Sequence, residues 1–359
     1  MSIPLAAITP PVTPELLAAL AALNVRNTYD LIFTPAPTLL RQLPSGTITL
    51  GQLKSLIARA TAISAAPGVT AEVLYATESV KYVEDKQVRS GVRALDALLG
   101  GSFGGPGCGR VVEVSGDAGG GKTALALHIV LHHLAAHETA AALWMDTTGD
   151  LSPARLTSVL PFHASGAAAT GVLERLHISQ AFDLDAAQEV IRHLRTALAT
   201  TPDMSPRPRI LVIDTVTPLI GPQLSAISSQ GVSHYTPIAF CIPTNQLGHA
   251  AMTTFMRLLG NTARTFGLAI LVLNNSTALK PPGPNPASCF AATTRKPALG
   301  PSFAFLTDAT LWLAHAPPGF SAETEAAGEV RVAEMFRSRV SVSRTWCPFR
   351  LRDGAILEL

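Results

Sequence analysis

Charge is scarce in this chain. Of its 359 residues only 14% are Asp, Glu, Lys or Arg while 47% are hydrophobic, the inverse of the balance that keeps a chain disordered. The bulk is expected to fold, and at about 150 residues per domain the length suggests two bodies or so. Neither sign of charge dominates: 27 basic against 25 acidic residues leave a formal +2. No global basic field exists, so any nucleic-acid contact has to come from local patches. Cysteine is sparse too. Cys108, Cys241, Cys289 and Cys347 form no C-x-x-C pair, which argues against a disulfide framework or a thiolate metal site. Despite a mean hydropathy of +0.30, long apolar runs are missing. The best, Leu16 to Leu23 and Gly267 to Leu273, are core-sized and fall short of the roughly 20 residues a bilayer requires. The opening MSIPLAAITPPVTP has no basic region and four prolines, so it does not read as a secretory signal. A soluble, intracellular protein with no membrane partner is expected. No internal repeat is visible.

What is present falls into two textures. Thr13 followed by Pro14 is an N-cap with proline in the first helical position, and Leu16, Leu17, Leu20 and Leu23 repeat at helical spacing toward a stop near Asn24. Asn27 to Phe33 and Thr49 to Ser64, the latter with Leu53, Leu56, Ile57, Ala60 and Ile63 on one side, complete a small all-α unit over residues 1–65. Residues 66–90, punctuated by Pro67-Gly68 and closed by KYVEDKQVR, read as a linker. Beyond Gly91, over 91–359, short apolar strands alternate with helices, the pattern of an α/β fold with a mostly parallel central sheet. Strands are expected at Val111–Val114, Ala142–Met145, Arg175–Ile178, Ile210–Ile213 and Ala269–Leu273. Ala309–Leu313, Val332–Ser341 and Phe349–Leu357 read as alternating or edge strands, expected to be antiparallel.

The chemistry concentrates after VVEV. GDAGGGKT, comprising Gly116, Asp117, Ala118, Gly119, Gly120, Gly121, Lys122 and Thr123, fits G-x-x-x-x-G-K-[ST] between a strand and a helix. The glycines let the backbone turn its N–H groups inward at a helix N-terminus, a nest for nucleotide phosphates. Lys122 is expected to bridge the β- and γ-phosphates, and the Thr123 hydroxyl to ligate Mg2+. ILVID ends an apolar strand in Asp214, the carboxylate a Walker B element delivers toward the same ion. ATP and Mg2+ are therefore the expected cofactors.

Other features have blander readings. His128, His132, His133 and His137 follow the phosphate loop, with His128 and His132 at the spacing of a zinc pair. No third ligand suggests itself, so structural histidines are favoured. The proline-rich stretch from Asn275 to Gly300 is expected to lack regular structure, and it reads either as a DNA contact or as a mobile lid. Its candidate DNA-binding cations are Lys280, Arg295 and Lys296, with Phe290 the only aromatic. Six arginines between Arg331 and Arg352 favour a solvated face.

These residues together resemble the RecA-like eukaryotic recombinases, and within them the D-type paralogue branch of homologous recombination. SGVRALDALLGGSF resembles that family's lead-in to the P-loop, DTTGDLSPARL its second-strand motif, LVIDTV its Walker B and FGLAILVLNN its approach to the second DNA-facing loop. KPALGPSFAFLTDATLWL is close to the D-type pattern, and VTPELLAALAALNVRNTYDLI to that branch's small helical domain. The resemblance implies a RecA-like P-loop ATPase core preceded by a small all-α domain. It implies a nuclear protein that assembles with other recombinase paralogues and assists the recombinase filament on single-stranded or branched DNA. Nuclear location rests on the resemblance alone, for no basic run is present.

Departures from the family pattern carry as much weight. Active members read D-T-E-G in the second-strand motif, and the glutamate activates the attacking water; here the place holds Thr148, whose hydroxyl cannot accept a proton at neutral pH. ATP binding with slow hydrolysis is expected, and no catalytic base is assigned. Asp146 and Asp150 lie nearby but would have to reach from other positions. Asn275 replaces the usual glutamine sensor. No clear F-x-x-A hook lies in the linker; FTPA at Phe33 to Ala36 carries Pro35 and reads as coincidence. A DNA-stimulated ATPase or helicase-like motor on the same fold is the alternative, and it needs a catalytic acid.

Overall fold

The computed structural model describes residues 3–44, 46–65, 68–229, 244–317 and 328–359. The chain divides into two compact units, Met1–Ala76 and Thr77–Leu359.

The first unit is all-helical. Its helices span Pro14–Ala22, Thr28–Phe33, Ala36–Gln42 and Leu50–Ser64, and local side chains cap two of their starts, while Thr13, expected as a cap, makes no side-chain cap bond. Asn27 caps the second helix and Thr49 the fourth, each in a reciprocal box with the side chain three residues on, Asp30 and Gln52. Leu16, Leu20, Leu31, Leu39, Leu53, Leu56 and Ala60 form the core with Leu5 and Ile8. Ile63, expected on the buried side, is exposed. The third helix was not anticipated: it is short, opened by Pro35, and buries only Leu39. Phe33, from FTPA, ends the second helix exposed and stacks on Tyr29.

The stretch expected to be a linker holds a helix, Ala71–Lys81, in which no residue is buried. That absence of a buried face is why its sequence shows no amphipathic period. Gln87, Val88 and Ser90 are buried, so the second unit begins before Gly91.

The second unit is built on one nine-stranded sheet. Its strands are β1 (Arg110–Gly116), β2 (Ala140–Asp146), β3 (Leu176–Gln180), β4 (Arg207–Asp214), β5 (Ala269–Asn274), β8 (Ala309–His315), β9 (Glu329–Ser338), β10 (Trp346–Arg352) and β11 (Ala355–Leu357), while β6 (Ser276–Ala278) and β7 (Arg295–Pro297) pair separately. The order is β11-β10-β9-β8-β1-β5-β4-β2-β3. The six strands from β8 to β3 are parallel, and β9, β10 and β11 continue the sheet antiparallel. The mostly parallel α/β fold is as the alternating pattern requires.

Successive side chains feed opposite cores. On β5, Ala269, Leu271 and Leu273 join the helices Arg93–Leu98, Lys122–Ala136 and Pro153–Val159 on one face, whereas Ile270 and Val272 join Leu184–Thr200, Val216–Ser229 and Thr244–Phe266 on the other. Strands covered on both faces read as continuous apolar runs, which is why β1, β4 and β5 are legible in the sequence.

Two expectations at the C-terminal end are corrected. Ala309–Leu313 is neither an edge strand nor wholly antiparallel: β8 pairs parallel with β1 and is buried on both faces. The stretch Phe349–Leu357 is two strands, β10 and β11, folded back at Asp353-Gly354, both in positive φ.

Candidate nucleotide site

The parallel strands β1, β4 and β2 end at one edge of the sheet, the place where open α/β sheets bind ligands. Gly116 closes β1 and Lys122 opens the next helix, so residues 116–123 form a strand-to-helix turn. Glycine is required at its first position. Gly116 has φ +155, and a Cβ there would lie 2.3 Å from the Leu313 carbonyl oxygen of neighbouring β8. Gly121 caps the helix at φ +96 in the left-handed region.

Lys122 folds back over the loop, its Nζ donating to the carbonyl oxygens of Gly116 at 3.0 Å and Asp117 at 2.9 Å. Burial holds its pKa below the usual lysine range, while the charges of Asp117 and Asp214 oppose the shift. The next residue, Thr123, donates from Oγ1 to Asp214 Oδ2 at 3.0 Å. Burial pushes the Asp214 carboxyl up to about 6; the Thr123 bond pulls the other way, and the neighbouring Asp146 charge adds to the rise. These two acids are register partners at the ends of β4 and β2.

Asp146 is committed to its own loop. Its Oδ1 accepts from the Thr148 and Gly149 amides at 3.1 and 2.8 Å, and its Oδ2 accepts from the Leu151 amide at 3.2 Å. Thr148 is exposed, with its hydroxyl also turned toward Asp146 Oδ1. No proton acceptor therefore stands in the position expected of a catalytic glutamate. Thr147 locks this turn to the end of β4, accepting from the Thr215 amide and donating to the Thr215 carbonyl.

The donor set suits a nucleotide with magnesium. The backbone amides of a glycine-rich strand-to-helix turn and an ammonium match phosphate oxygens, and a hydroxyl bonded to a half-buried carboxylate matches a hard divalent cation. A cleft of about 630 Å³ opens over Gly121, Lys122 and Thr123 and is walled by Arg155, Leu351 and Asp353, a volume within the range of small-molecule sites. Arg155 and the β10–β11 turn were not singled out in the sequence, although Arg155 lies within DTTGDLSPARL. They are far from the loop in sequence, and only the folding of the helix Pro153–Val159 and of β10 brings them to it.

A buried polar chain under the loop was also missed. Glu113, inside VVEV, is fully buried and accepts from Asn274 Nδ2 at 2.7 Å, Thr310 Oγ1 at 2.8 Å and Ser115 Oγ at 3.1 Å. Burial raises its pKa, and these bonds work against the rise. Asn274 Oδ1 in turn accepts from Thr217 Oγ1, which accepts from the Asn275 amide at 3.0 Å. The sensor position is thus tied by its backbone to the strand beneath the phosphate loop, while Asn275 itself is exposed. A charge inside an otherwise apolar strand was the available signal.

The second-loop candidates separate. Lys280 is exposed, Lys296 is half-buried on β7, and Arg295 is drawn onto Asp117 of the phosphate loop. The stretch expected to lack regular structure is anchored: β6 and β7 pair at its base, Asn285 Nδ2 donates to the Arg295 carbonyl, and buried Ser288 donates to Glu334. The arginine-rich C-terminal face is not uniformly solvated either. Arg331 is buried, bonds His315 Nδ1 and Glu329, and leaves its Nε without a partner. His128 is buried with Nε2 against the Ser90 carbonyl at 2.9 Å and Nδ1 accepting from the Ile356 amide at 3.3 Å, a neutral ring. Among the described residues no cluster of His, Cys, Asp or Glu is arranged to hold a metal by itself. No helix among them is long and apolar enough to cross a membrane.

Residues 83–229 match the Rad51 family. The matched stretch runs from ahead of the phosphate loop past Asp214 and includes Asp146 and Thr148. The fold is that of a RecA-like recombinase core: a solved structure described as the RadB recombinase superposes with a TM-score of 0.50 at 20% identity, covering 76% of this chain and 99% of that one. No curated protein matches the sequence.

Proposed function

We propose that this chain is an ATP-binding recombinase paralogue. In this reading it assembles with other paralogues in the nucleus and assists the recombinase filament on single-stranded or branched DNA during homologous recombination repair. The observation that carries it is an intact phosphate loop, with Lys122, Thr123 and Asp214 in place, beside a turn where Thr148 is exposed and Asp146 is bound to three amides. The loop amides and Lys122 would hold the triphosphate, and Thr123 and Asp214 the magnesium, which neutralises phosphate charge when bound. Nothing at position 148 can take the proton of an attacking water, so nucleotide serves as an assembly ligand and its turnover is slow. The motor alternative needs the acid that this turn lacks.

Assembly finds support at the sheet edge. Among the described residues β3 is the terminal strand at one end of the sheet, with Ile178 50% exposed and Phe182 60% exposed beyond its end, and an edge strand invites strand addition from a partner. Nucleotide that binds the partner-competent form stabilises it by about 2.7 kcal/mol at a hundredfold excess over Kd. Lys122→Ala is therefore expected to lose both Mg-ATP binding and nucleotide-dependent capture of partner subunits in pull-downs. An unchanged complex formed without nucleotide would refute the assembly role.

A further inference from the structure

The segment between β5 and β8 brings a second cation to the phosphate loop. Arg295 Nε lies 2.9 Å from Asp117 Oδ1. The same Nε lies 2.9 Å from Ser276 Oγ, Nη2 donates to the Ser276 carbonyl at 3.0 Å, and Ser276 Oγ donates to Asp117 Oδ1 at 2.9 Å. Because Ser276 opens β6 and Arg295 opens β7, paired antiparallel through Ala278↔Arg295 and Ser276↔Pro297, the three groups close a ring between hairpin and loop.

Asp117 is out of place for anion binding. It is the second residue of GDAGGGKT, and a carboxylate there repels the phosphates that the neighbouring amides and Lys122 attract. Holding Arg295 gives it a role in the absence of nucleotide. The grip is weak by construction, since both side chains are more than two-fifths exposed, 46% for Arg295 and 41% for Asp117, and exposed pairs of this kind contribute little. A phosphate group offers more charge and more acceptor oxygens than one carboxylate, and it suits the planar fork of a guanidinium. Arg295 uses only its Nε and Nη2 in the ring, out of five N–H donors. It is also near enough to Lys122 for its charge to add to the depression of that ammonium's pKa.

We propose that Arg295 is a cis-acting ligand for the terminal phosphate, exchanged from Asp117 when a nucleoside triphosphate enters, so that the β6–β7 hairpin distinguishes triphosphate from diphosphate. This rests on the nucleotide-binding reading above. It reassigns Arg295 from DNA contact to nucleotide discrimination.

The test uses the full chain with magnesium and fluorescent ATP and ADP analogues, titrated separately. Arg295→Ala is expected to lose about tenfold in affinity for the ATP analogue, the equivalent of about 1.4 kcal/mol, and to keep its affinity for the ADP analogue. Arg295→Lys is expected to retain part of the discrimination, and Asp117→Asn to bind the ATP analogue more tightly than the parent chain. Hydrogen exchange across residues 276–297 provides a second readout: the ATP analogue changes protection in the parent chain, and this response is absent in Arg295→Ala. A parent chain that binds neither analogue refutes the nucleotide site itself. A parent chain that binds, with Arg295→Ala keeping the same ATP-to-ADP ratio or losing both equally, overturns the assignment of Arg295 and leaves the site standing. The same holds if Arg295→Ala weakens only single-stranded DNA binding.

Discussion

Under the proposed nucleotide reading, the half-buried Asp214 carboxyl makes magnesium-dependent binding sensitive to pH in a definite direction. The group sits at about 6 because burial disfavours its charge and Asp146 repels it, with Thr123 offsetting part of the rise. A divalent cation requires the carboxylate, so its binding must release the proton. With a pKa of about 6, roughly a tenth of the groups are ionised at pH 5 and roughly nine-tenths at pH 7. The apparent affinity for Mg-ATP should therefore rise about tenfold between those values, or about 1.4 kcal/mol. Titration of a fluorescent ATP analogue at fixed free magnesium, at half-unit steps from pH 5 to 7.5, measures it. The nucleotide's own phosphate also titrates in this range, so Asp214→Asn is the control, and its slope belongs to the nucleotide alone. The difference between the two curves is the Asp214 contribution. A flat difference, or equal magnesium dependence in both proteins, would refute the placement of Asp214 at the ion.

Other predictions follow from the same geometry. Thr148→Glu restores an acid at the exposed turn and should raise steady-state ATP hydrolysis by about 10²-fold, the lower end of what a general base supplies; an unchanged rate with Mg-ATP binding intact would show that a missing base does not limit turnover. His128 and His133 are held near 3 and His163 near 4, burial being the largest cause in each. These values lie below the unfolded histidine value of about 6.5, so between the two the unfolded chain binds the extra protons. Stability is full above about pH 6.5 and falls as pH drops toward 4, and thermal melts from pH 7.5 to 4.5 should show Tm falling; a Tm independent of pH there would contradict neutral buried rings. Gly116→Ala sets a methyl 2.3 Å from the Leu313 carbonyl and should abolish nucleotide binding while lowering Tm, whereas a folded variant with undiminished affinity would refute the close approach of β8 to the loop.

The exposed turn at Thr148 and the committed Asp146 belong to one design. Asp146 is a register neighbour of Asp214, and its charge is answered by loop amides instead of by a reacting water. The arrangement ties the Asp146 carboxylate to the amides of Thr148, Gly149 and Leu151 and leaves no acid at position 148, as the proposed assembly-ligand role requires.

Local sequence decided a good deal. Glycine spacing and the following lysine and threonine marked the phosphate loop, because only glycine reaches the backbone angles that the turn needs. The apolar runs of β1, β4 and β5 announced strands buried on both faces, and Asn27 and Thr49 announced helix starts through bonds that close within four residues. What the sequence alone could not decide lies wherever partners are distant. The parallel pairing of β8 with β1, the convergence of Arg155 and Asp353 on the cleft, the chain from Glu113 to Asn275 and the capture of Arg295 by Asp117 all join segments separated by tens to hundreds of residues. Periodicity carries no information about such pairs, since each is fixed by the order in which strands stack in the sheet, and that order is settled only when both faces of the sheet are packed.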